Sequence, residues 1–210
     1  MIKKLKSLTK KQWLGIILAI ILIVAGVVFT IRYVRGTIYA YHAMQFAMQH
    51  NFDAGNPDVD LLEPWMSIRY IAEAYTVPQS YLFDKLGVEM NPPNSELPVG
   101  RLNRQLGRRG RPEQPIILDK IREAILEYRE NPVATGLQEQ RVARWMNVQY
   151  IANSTGIPAE YIFEQIGLPM EGYAFMPLER LVDETRYEPG VRELTKQIEQ
   201  IIETYEAPSQ

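Results

Sequence analysis

An internal repeat constrains this 210-residue chain more than any other feature. Residues 65–88 read WMSIRYIAEAYTVPQSYLFDKLGV and residues 145–168 read WMNVQYIANSTGIPAEYIFEQIGL, with nine identical positions and no gap. A fixed internal period is typical of chains built from duplicated supersecondary units. The match resumes farther on, where Pro98 and Leu102 align with Pro177 and Leu181. We therefore predict two tandem units, a first copy over 63–132 and a second copy over 137–208.

Each copy has the apolar spacing of helices rather than strands. Trp65, Ile68, Ile71 and Tyr75 recur at three- and four-residue steps, which predicts one face of a helix that starts near Pro64. The residue before a proline avoids the α region, so Pro78 separates this helix from the next. No stretch alternates with period two over the length of a strand. The fold class we expect is all-α, with about four short helices in each copy.

Aromatic and apolar residues at equivalent places in both copies predict the core. A unit of about 70 residues buries only a marginal apolar area by itself, so we expect the two copies to share one core. The predicted repeat-core residues are Trp65, Tyr70, Pro78, Tyr81, Phe83, Trp145, Tyr150, Pro158, Tyr161 and Phe163.

Before the copies lies an apolar segment, WLGIILAIILIVAGVVFTI, at residues 13–31. Its nineteen residues carry no charge and no proline, and as a helix they span about 28 Å, the hydrocarbon thickness of a bilayer. A buried core helix rarely stays apolar on all faces, and a signal peptide has a shorter apolar region followed by a cleavage site. We predict an uncleaved single-pass transmembrane helix, followed by a helical stalk and linker at 32–62.

Basic residues around this segment indicate its direction. Residues 1–12 contain five lysines and no acid, and the lysine-rich flank normally stays in the cytoplasm. We expect a basic cytoplasmic tail at 1–12, a location in a bacterial inner membrane, and an extracytoplasmic C-terminal domain. Gly15 and Ala19 form a small-xxx-small pair that permits two anchors to pack as a homodimer.

Residues 151–162 have the spacing of a helix-turn-helix, with Ala152 in the first helix and Gly156 at the turn. This resembles DNA-binding modules of the repressor type. Recognition helices present basic or amide side chains to DNA, whereas the second helices here carry Asp84, Glu160 and Glu164. We therefore expect no nucleic-acid partner. A less favoured interpretation of the whole chain is a membrane-tethered DNA-binding regulator, which requires the opposite orientation, with the C-terminal domain in the cytoplasm.

The repeated pattern W-M-[SN]-[IV]-x-Y-I-A, continued by P-x-x-Y-[LI]-F-x-x-[LI]-G, resembles short helical modules appended to bacterial and archaeal membrane redox proteins. The resemblance covers about 40 residues in each copy and implies an accessory role beside a membrane complex. The chain contains no cysteine, so an iron–sulfur cluster has no thiolate ligands here.

Two groups of possible metal ligands lack the spacing that a bound ion requires. His42 and His50 flank two methionines, but residues eight apart on a helix are about 12 Å apart along its axis, too far to share one ion. Asp53 and Asn56 begin an acidic linker, which lacks the glycine and glutamate of a calcium loop at the required places. We predict no metal and no cofactor.

Five arginines crowd the segment GRLNRQLGRRGR at 100–111. The second copy has only Arg180 and Arg186 in the equivalent region, so the shared fold does not require this cluster. Guanidinium groups bind phosphate and carboxylate in bidentate fashion. The candidate anion- or partner-binding residues are Arg101, Arg104, Arg108, Arg109 and Arg111.

No catalytic motif is found in the chain, and neither of its two histidines lies within the copies. We expect no enzyme. The function we predict is a membrane-anchored interaction protein, a scaffold or accessory subunit of a membrane complex. The alternative is an envelope sensor that binds an anionic lipid or polymer through the groove between the copies or through the arginine cluster.

Overall fold

A single helix, α1, occupies Lys10–Gln49. Its 40 residues rise about 60 Å along the axis. The computed structural model describes residues 10–50, 52, 55, 57–107, 116–137 and 141–205, and within α1 it describes no side chains at 10–12, 14–15 and 31–40. Among the described residues, no helix combines the length and the apolarity that a membrane crossing requires. The transmembrane helix at 13–31 therefore stays a prediction.

Residues His50–Gln210 form a second structural unit. Its described residues contain helices and no strand, which confirms the all-α prediction. A short 3-10 helix at Val59–Leu61 precedes the first copy. The first copy has five helices instead of about four: α2 at Ile68–Ala74, α3 at Gln79–Leu86, α4 at Pro92–Glu96, α5 at Val99–Gln105 and α6 at Ile116–Glu130. The second copy has four: α7 at Val148–Thr155, α8 at Ala159–Ile166, α9 at Leu178–Thr185 and α10 at Gly190–Thr204.

Both copies begin their first helix with the same cap. Ser67 Oγ accepts a hydrogen bond from the Tyr70 amide at 3.2 Å, and Asn147 Oδ1 accepts one from the Tyr150 amide at 2.7 Å. Such side chains satisfy an amide that has no partner inside the helix. The prediction that the helix starts near Pro64 is wrong by about a turn, because the capping residue holds an extended backbone conformation.

The capping residues also tie each first helix to a later one. Ser67 pairs with Pro98, and Asn147 pairs with Pro177, in isolated antiparallel bridges. The next residue after each proline donates its amide to a methionine carbonyl at 2.8 Å, from Val99 to Met66 and from Leu178 to Met146. The same backbone connection therefore holds α5 against the start of α2 and α9 against the start of α7.

The long last helix of each copy closes its core. In the first copy α6 packs on α3 and α5, and in the second α10 packs on α8 and α9. Tyr81 meets Tyr128 edge-on with ring centroids 5.1 Å apart, and Tyr161 meets Tyr205 in the same way, also at 5.1 Å. The side chains buried on the two long helices are Ile117, Leu118, Ile121, Ala124, Ile125 and Tyr128 on α6, and Leu194, Ile198 and Ile201 on α10.

The predicted repeat-core residues divide into three groups by burial. Pro78, Phe83, Tyr150 and Phe163 are buried, while Trp65, Tyr70, Tyr81, Trp145 and Tyr161 are half-buried and Pro158 is exposed. The two tryptophans precede the capped helices, and their rings lie against Tyr70 at 5.3 Å and Tyr150 at 5.4 Å between centroids. Pro158 is exposed at the turn between α7 and α8 instead of lying in the core.

The segment before the first copy covers the α2 side of that copy. Phe52 is buried, with its ring centroid 5.9 Å from Tyr75 and 6.5 Å from Tyr70. Arg129 Nη2 on α6 donates to the Pro57 carbonyl at 2.7 Å, and its guanidinium lies 5.7 Å from the Tyr75 ring. Burial, the largest cause, raises the pKa of Tyr75. These contacts tie the segment before the first copy to Tyr75 and to α6.

Candidate functional site

The two copies meet where α7 of the second faces the α2–α3 turn of the first. Asn153 Nδ2 donates to the Thr76 carbonyl at 2.6 Å, and Asn147 Nδ2 donates to the Glu73 carbonyl at 3.3 Å. Carbonyl groups at a helix end have no partner inside the helix. The second copy therefore attaches side-chain amides to two backbone carbonyls at the end of α2 and in the turn that follows it.

Several polar side chains are buried at the same interface, among them Gln79, Tyr150 and Ser154. The backbone N–H of Gln79 donates to Tyr150 Oη at 3.3 Å. Burial raises the pKa of Tyr150, and the hydrogen bond from Gln79 opposes that shift. Gln79 Oε1 and Ser154 Oγ have no hydrogen-bond partner among the described residues. An unpaired acceptor in a covered position costs about 1–3 kcal/mol, so these two atoms mark a place where the fold leaves bonding capacity unused.

A groove opens beside this interface, and we call it the Trp145 groove. It consists of two cavities of about 410 and 640 Å³ that share Arg69, Ala143 and Trp145. The first cavity is also lined by Gln79, Met90, Asn91, Pro92, Ser95, Glu96, Arg141 and Met146, and the second by Val142, Arg144, Glu179, Val191, Arg192 and Thr195. Its size and its mixed apolar and polar lining are typical of a ligand site.

The centre of the Trp145 groove is held by an ion pair. Arg69 Nη2 donates to Glu96 Oε2 at 2.9 Å, and Arg69 Nε makes a second charge contact with Glu96 at 2.6 Å. The same guanidinium lies 5.5 Å from the centre of the Trp145 ring. The charge of Arg69 is thus already paired with Glu96, and its guanidinium orients the Trp145 ring between the two cavities.

The groove is nonetheless cationic, because four arginines and two glutamates line it. Arg144 and Glu179 form an exposed contact at 3.5 Å. Arg141 and Arg192 are exposed, and neither forms an ion pair with another described residue. The chain as a whole carries a net charge of −2, so the groove has the opposite sign to the rest of the protein.

None of the four groove arginines has an arginine at the equivalent place in the other copy. Arg141 and Arg144 of the second copy align with Leu61 and Pro64, and Arg69 of the first aligns with Gln149. The common fold therefore does not require them. Sequence reasoning missed this cluster because its members are distant in the chain; the short motif RVARW at 141–145 was the local signal that pointed to it.

The arginine cluster predicted at 101–111 is only partly described. Arg101 and Arg104 are exposed on α5, and neither lines the Trp145 groove. Arg108, Arg109 and Arg111 lie outside the described residues. The role of this cluster in anion or partner binding stays a prediction, as does the homodimer through Gly15 and Ala19, because the Gly15 environment is not described.

The possible metal ligands of the sequence are not brought together in the described part of the chain. No group of three or more His, Asp or Glu side chains that could hold a metal ion occurs there. Asp58 Oδ1 instead accepts the Asp60 amide at 2.9 Å and caps the 3-10 helix. Asp53 and Asn56 lie outside the described residues.

Comparison with family models, with curated proteins and with solved structures finds no match for this chain.

Proposed function

We propose that this chain is a membrane-anchored interaction protein, a scaffold or accessory subunit of a membrane complex, that docks a partner protein at the Trp145 groove. The groove is the observation that carries the proposal. It combines two exposed arginines that form no ion pair with a described residue, Arg141 and Arg192, with the half-exposed Trp145 and two methionines. Arginine, tryptophan and methionine are enriched where proteins bind one another. The stacked copies supply a rigid platform for it.

The membrane anchor rests on α1. All described side chains from 16 to 30 are exposed, and all but Gly26 and Thr30 are apolar. The Thr30 hydroxyl donates to the Gly26 carbonyl at 2.8 Å, so its polar atom is satisfied inside the helix. An exposed apolar surface of this length in water requires a cover, and acyl chains provide one. The apolar sequence continues to residues 13 and 31.

Protease protection tests the anchor and its direction. With an inner-membrane anchor and a cytoplasmic N-terminus, protease added to intact spheroplasts digests the chain beyond Ile31 and leaves a short membrane-embedded fragment. Extraction of the whole chain by alkaline carbonate would contradict an integral anchor. Full protection, alongside digestion of an external control protein, would contradict the orientation.

Partner recovery tests the interaction role. The tagged full chain is purified from gently solubilised membranes, and we expect a stoichiometric partner protein. The double substitution Arg141→Glu/Arg192→Glu places acid at the groove, and recovery should fall at least about tenfold because like-charged surfaces repel. Arg101→Glu/Arg104→Glu is the matched control, with the same charge change outside the groove. A monodisperse monomer without a partner would contradict the proposal.

A second candidate function is an envelope sensor that binds an anionic lipid or polymer through the arginine cluster. Two observations favour it: Arg101 and Arg104 are exposed without an ion pair to any described residue, and three further arginines follow in the sequence. The full chain in zwitterionic nanodiscs is floated with anionic liposomes. Lost flotation after Arg108→Glu/Arg109→Glu, with partner recovery intact, would favour this candidate over docking at the groove.

A further inference from the structure

The Trp145 groove combines two kinds of binding capacity on one surface. Gln79 is 2% exposed and lines the first cavity, and its amide oxygen accepts no hydrogen bond. The last torsion of a glutamine side chain is soft, so a small rotation presents this oxygen to an occupant of the cavity. An occupant that forms a hydrogen bond with Gln79 Oε1 must supply the donor.

The positive charge of the groove favours an occupant that carries acidic groups. Arg69 is engaged by Glu96, and Arg144 is partly engaged by Glu179, so Arg141 and Arg192 carry the charge that no described residue neutralises. Arg141 lines the first cavity and Arg192 lines the second, with Trp145 shared between them. An occupant that reaches both arginines is elongated and carries at least two acidic groups.

The two requirements together select among anions. The phosphate group of a phosphodiester polymer or of a lipid offers acceptors to arginine and, at neutral pH, no donor of its own to an amide oxygen. A polypeptide offers both, because its backbone N–H groups are donors and its aspartate and glutamate side chains are acids. Met90 and Met146 add an adaptable apolar wall that accommodates an aliphatic side chain.

We propose that the Trp145 groove binds an extended acidic segment of a partner polypeptide. Carboxylates of the segment pair with Arg141 and Arg192, an apolar side chain packs against Met90 and Met146, and a backbone N–H donates to Gln79 Oε1. This inference rests on the proposed function and specifies its partner by chemistry.

The probe is a short fluorescein-labelled peptide of alternating leucine and glutamate, titrated by anisotropy against the full chain in zwitterionic nanodiscs. We expect saturable binding that weakens with salt. The same peptide with lysine in place of glutamate should not bind. Arg141→Glu/Arg192→Glu should weaken binding at least about tenfold, while Lys120→Glu/Arg186→Glu, the same charge change at exposed cations outside the groove, leaves it within about twofold.

The hydrogen bond to Gln79 is tested from both sides. N-methylation of the peptide backbone removes its donors, and we expect about a five- to tenfold loss of affinity for the wild-type chain. Gln79→Met keeps the length of the side chain and removes the acceptor, so N-methylation should then change affinity less than about twofold. The effect of N-methylation on the wild-type chain stands as a test even where Gln79→Met fails to fold.

Three outcomes would overturn the inference: no binding of the acidic peptide, equal binding of a polyphosphate of the same charge, or no effect of the groove substitutions. Failure here and failure of the proposed function are distinguishable. If the peptide does not bind and Arg141→Glu/Arg192→Glu still abolishes partner recovery, the acidic-segment inference is wrong and docking at the groove stands. If recovery is unchanged by that variant, docking at the groove is wrong as well.

Discussion

The turn between the first two helices of each copy has opposite surroundings in the two copies. In the first copy, residues 76–80 are all buried, and in the second copy Gly156, Pro158 and Glu160 of the equivalent turn are exposed. The local fold is the same, since both turns end in a proline that precedes an eight-residue helix. The difference teaches that the first turn is an interface and the second is an end of the stack.

Side chains at the two turns follow this division. Ser80 Oγ lies 2.5 Å from Thr135 Oγ1 and is 5% exposed, whereas the equivalent residue is the exposed Glu160. Gln79, which is 2% exposed, is replaced by the smaller Ala159. A terminal repeat needs a polar outer face to stay soluble and to stop further stacking. The second copy therefore closes the array instead of extending it.

The largest expected effect is at the tyrosine that fills the interface. Tyr150→Ala removes a ring that is 2% exposed and should lower the free energy of unfolding by about 3–5 kcal/mol. Tyr70→Ala, at the equivalent half-buried position of the first copy, should lower it by about 1–2 kcal/mol. Urea unfolding of the two variants measures both values, and equal losses would contradict the distinction between interface and end.

A reciprocal exchange at the turn gives the next largest effect. Ser80→Glu places a carboxylate at a position that is 5% exposed and should cost about 3 kcal/mol, because the charge loses its water. Glu160→Ser, the reverse change at the exposed end, should stay within about 0.5 kcal/mol. Thermal melting at neutral pH separates them. A tolerated Ser80→Glu would show that the copies are not held together through this turn.

Backbone conformation at the turns gives a smaller difference. Gly156 has φ +77°, and Thr76 at the equivalent place has φ +52°. Gly156→Ala should cost about 1–2 kcal/mol, because an alanine in this region is strained and its Cβ would lie 3.3 Å from Ala134 Cβ. Thr76→Gly relieves the same strain but loses the hydroxyl bond to the Tyr75 carbonyl at 2.8 Å, so we expect a change below about 1 kcal/mol. Urea midpoints check both values.

The last expected effect is confined to alkaline pH and concerns the pH dependence of stability at the interface. Tyr128 Oη on α6 donates to the Asn153 carbonyl at 3.2 Å, and burial raises the pKa of Tyr128 from 10.0 to about 12. Between these values the unfolded chain loses a proton that the folded chain keeps, so the free energy of unfolding falls as pH rises from about 10 to 12. Tyr128→Phe should make this fall shallower while leaving stability below pH 10 reduced only by the lost hydrogen bond. An unchanged slope would contradict it.

Local signals in the sequence predict much of the fold. The helix-breaking prolines Pro78, Pro98, Pro158 and Pro177 each lie immediately before a helix. The first helix starts later than its apolar spacing predicts, because a serine or asparagine cap two residues after the tryptophan sets the start of the helix. The extra helix α4 also escaped prediction, since its cap Asn91 lies in a segment that has no counterpart of similar sequence in the second copy.

The candidate site is harder to predict, and the two arginine clusters show why. The cluster at 100–111 is visible in sequence because its members are adjacent, yet Arg101 and Arg104 do not line the Trp145 groove. The groove arginines at 69, 141, 144 and 192 converge only when α2, α10 and the segment before α7 come together. Only Arg141 and Arg144 are close in sequence, in RVARW at 141–145, and the other two arginines are far from them along the chain.

By itself the sequence determined that the protein is duplicated and helical and where most of its helices begin, because periodicity, capping and proline act over a few residues. Tertiary structure alone decided that one turn is an interface and its twin an end, that Trp145 stays half-exposed, and that Gln79 keeps an unpaired oxygen beside a cationic groove. Those outcomes depend on the angle at which one copy stacks on the other, and that angle follows from packing between side chains far apart in the chain.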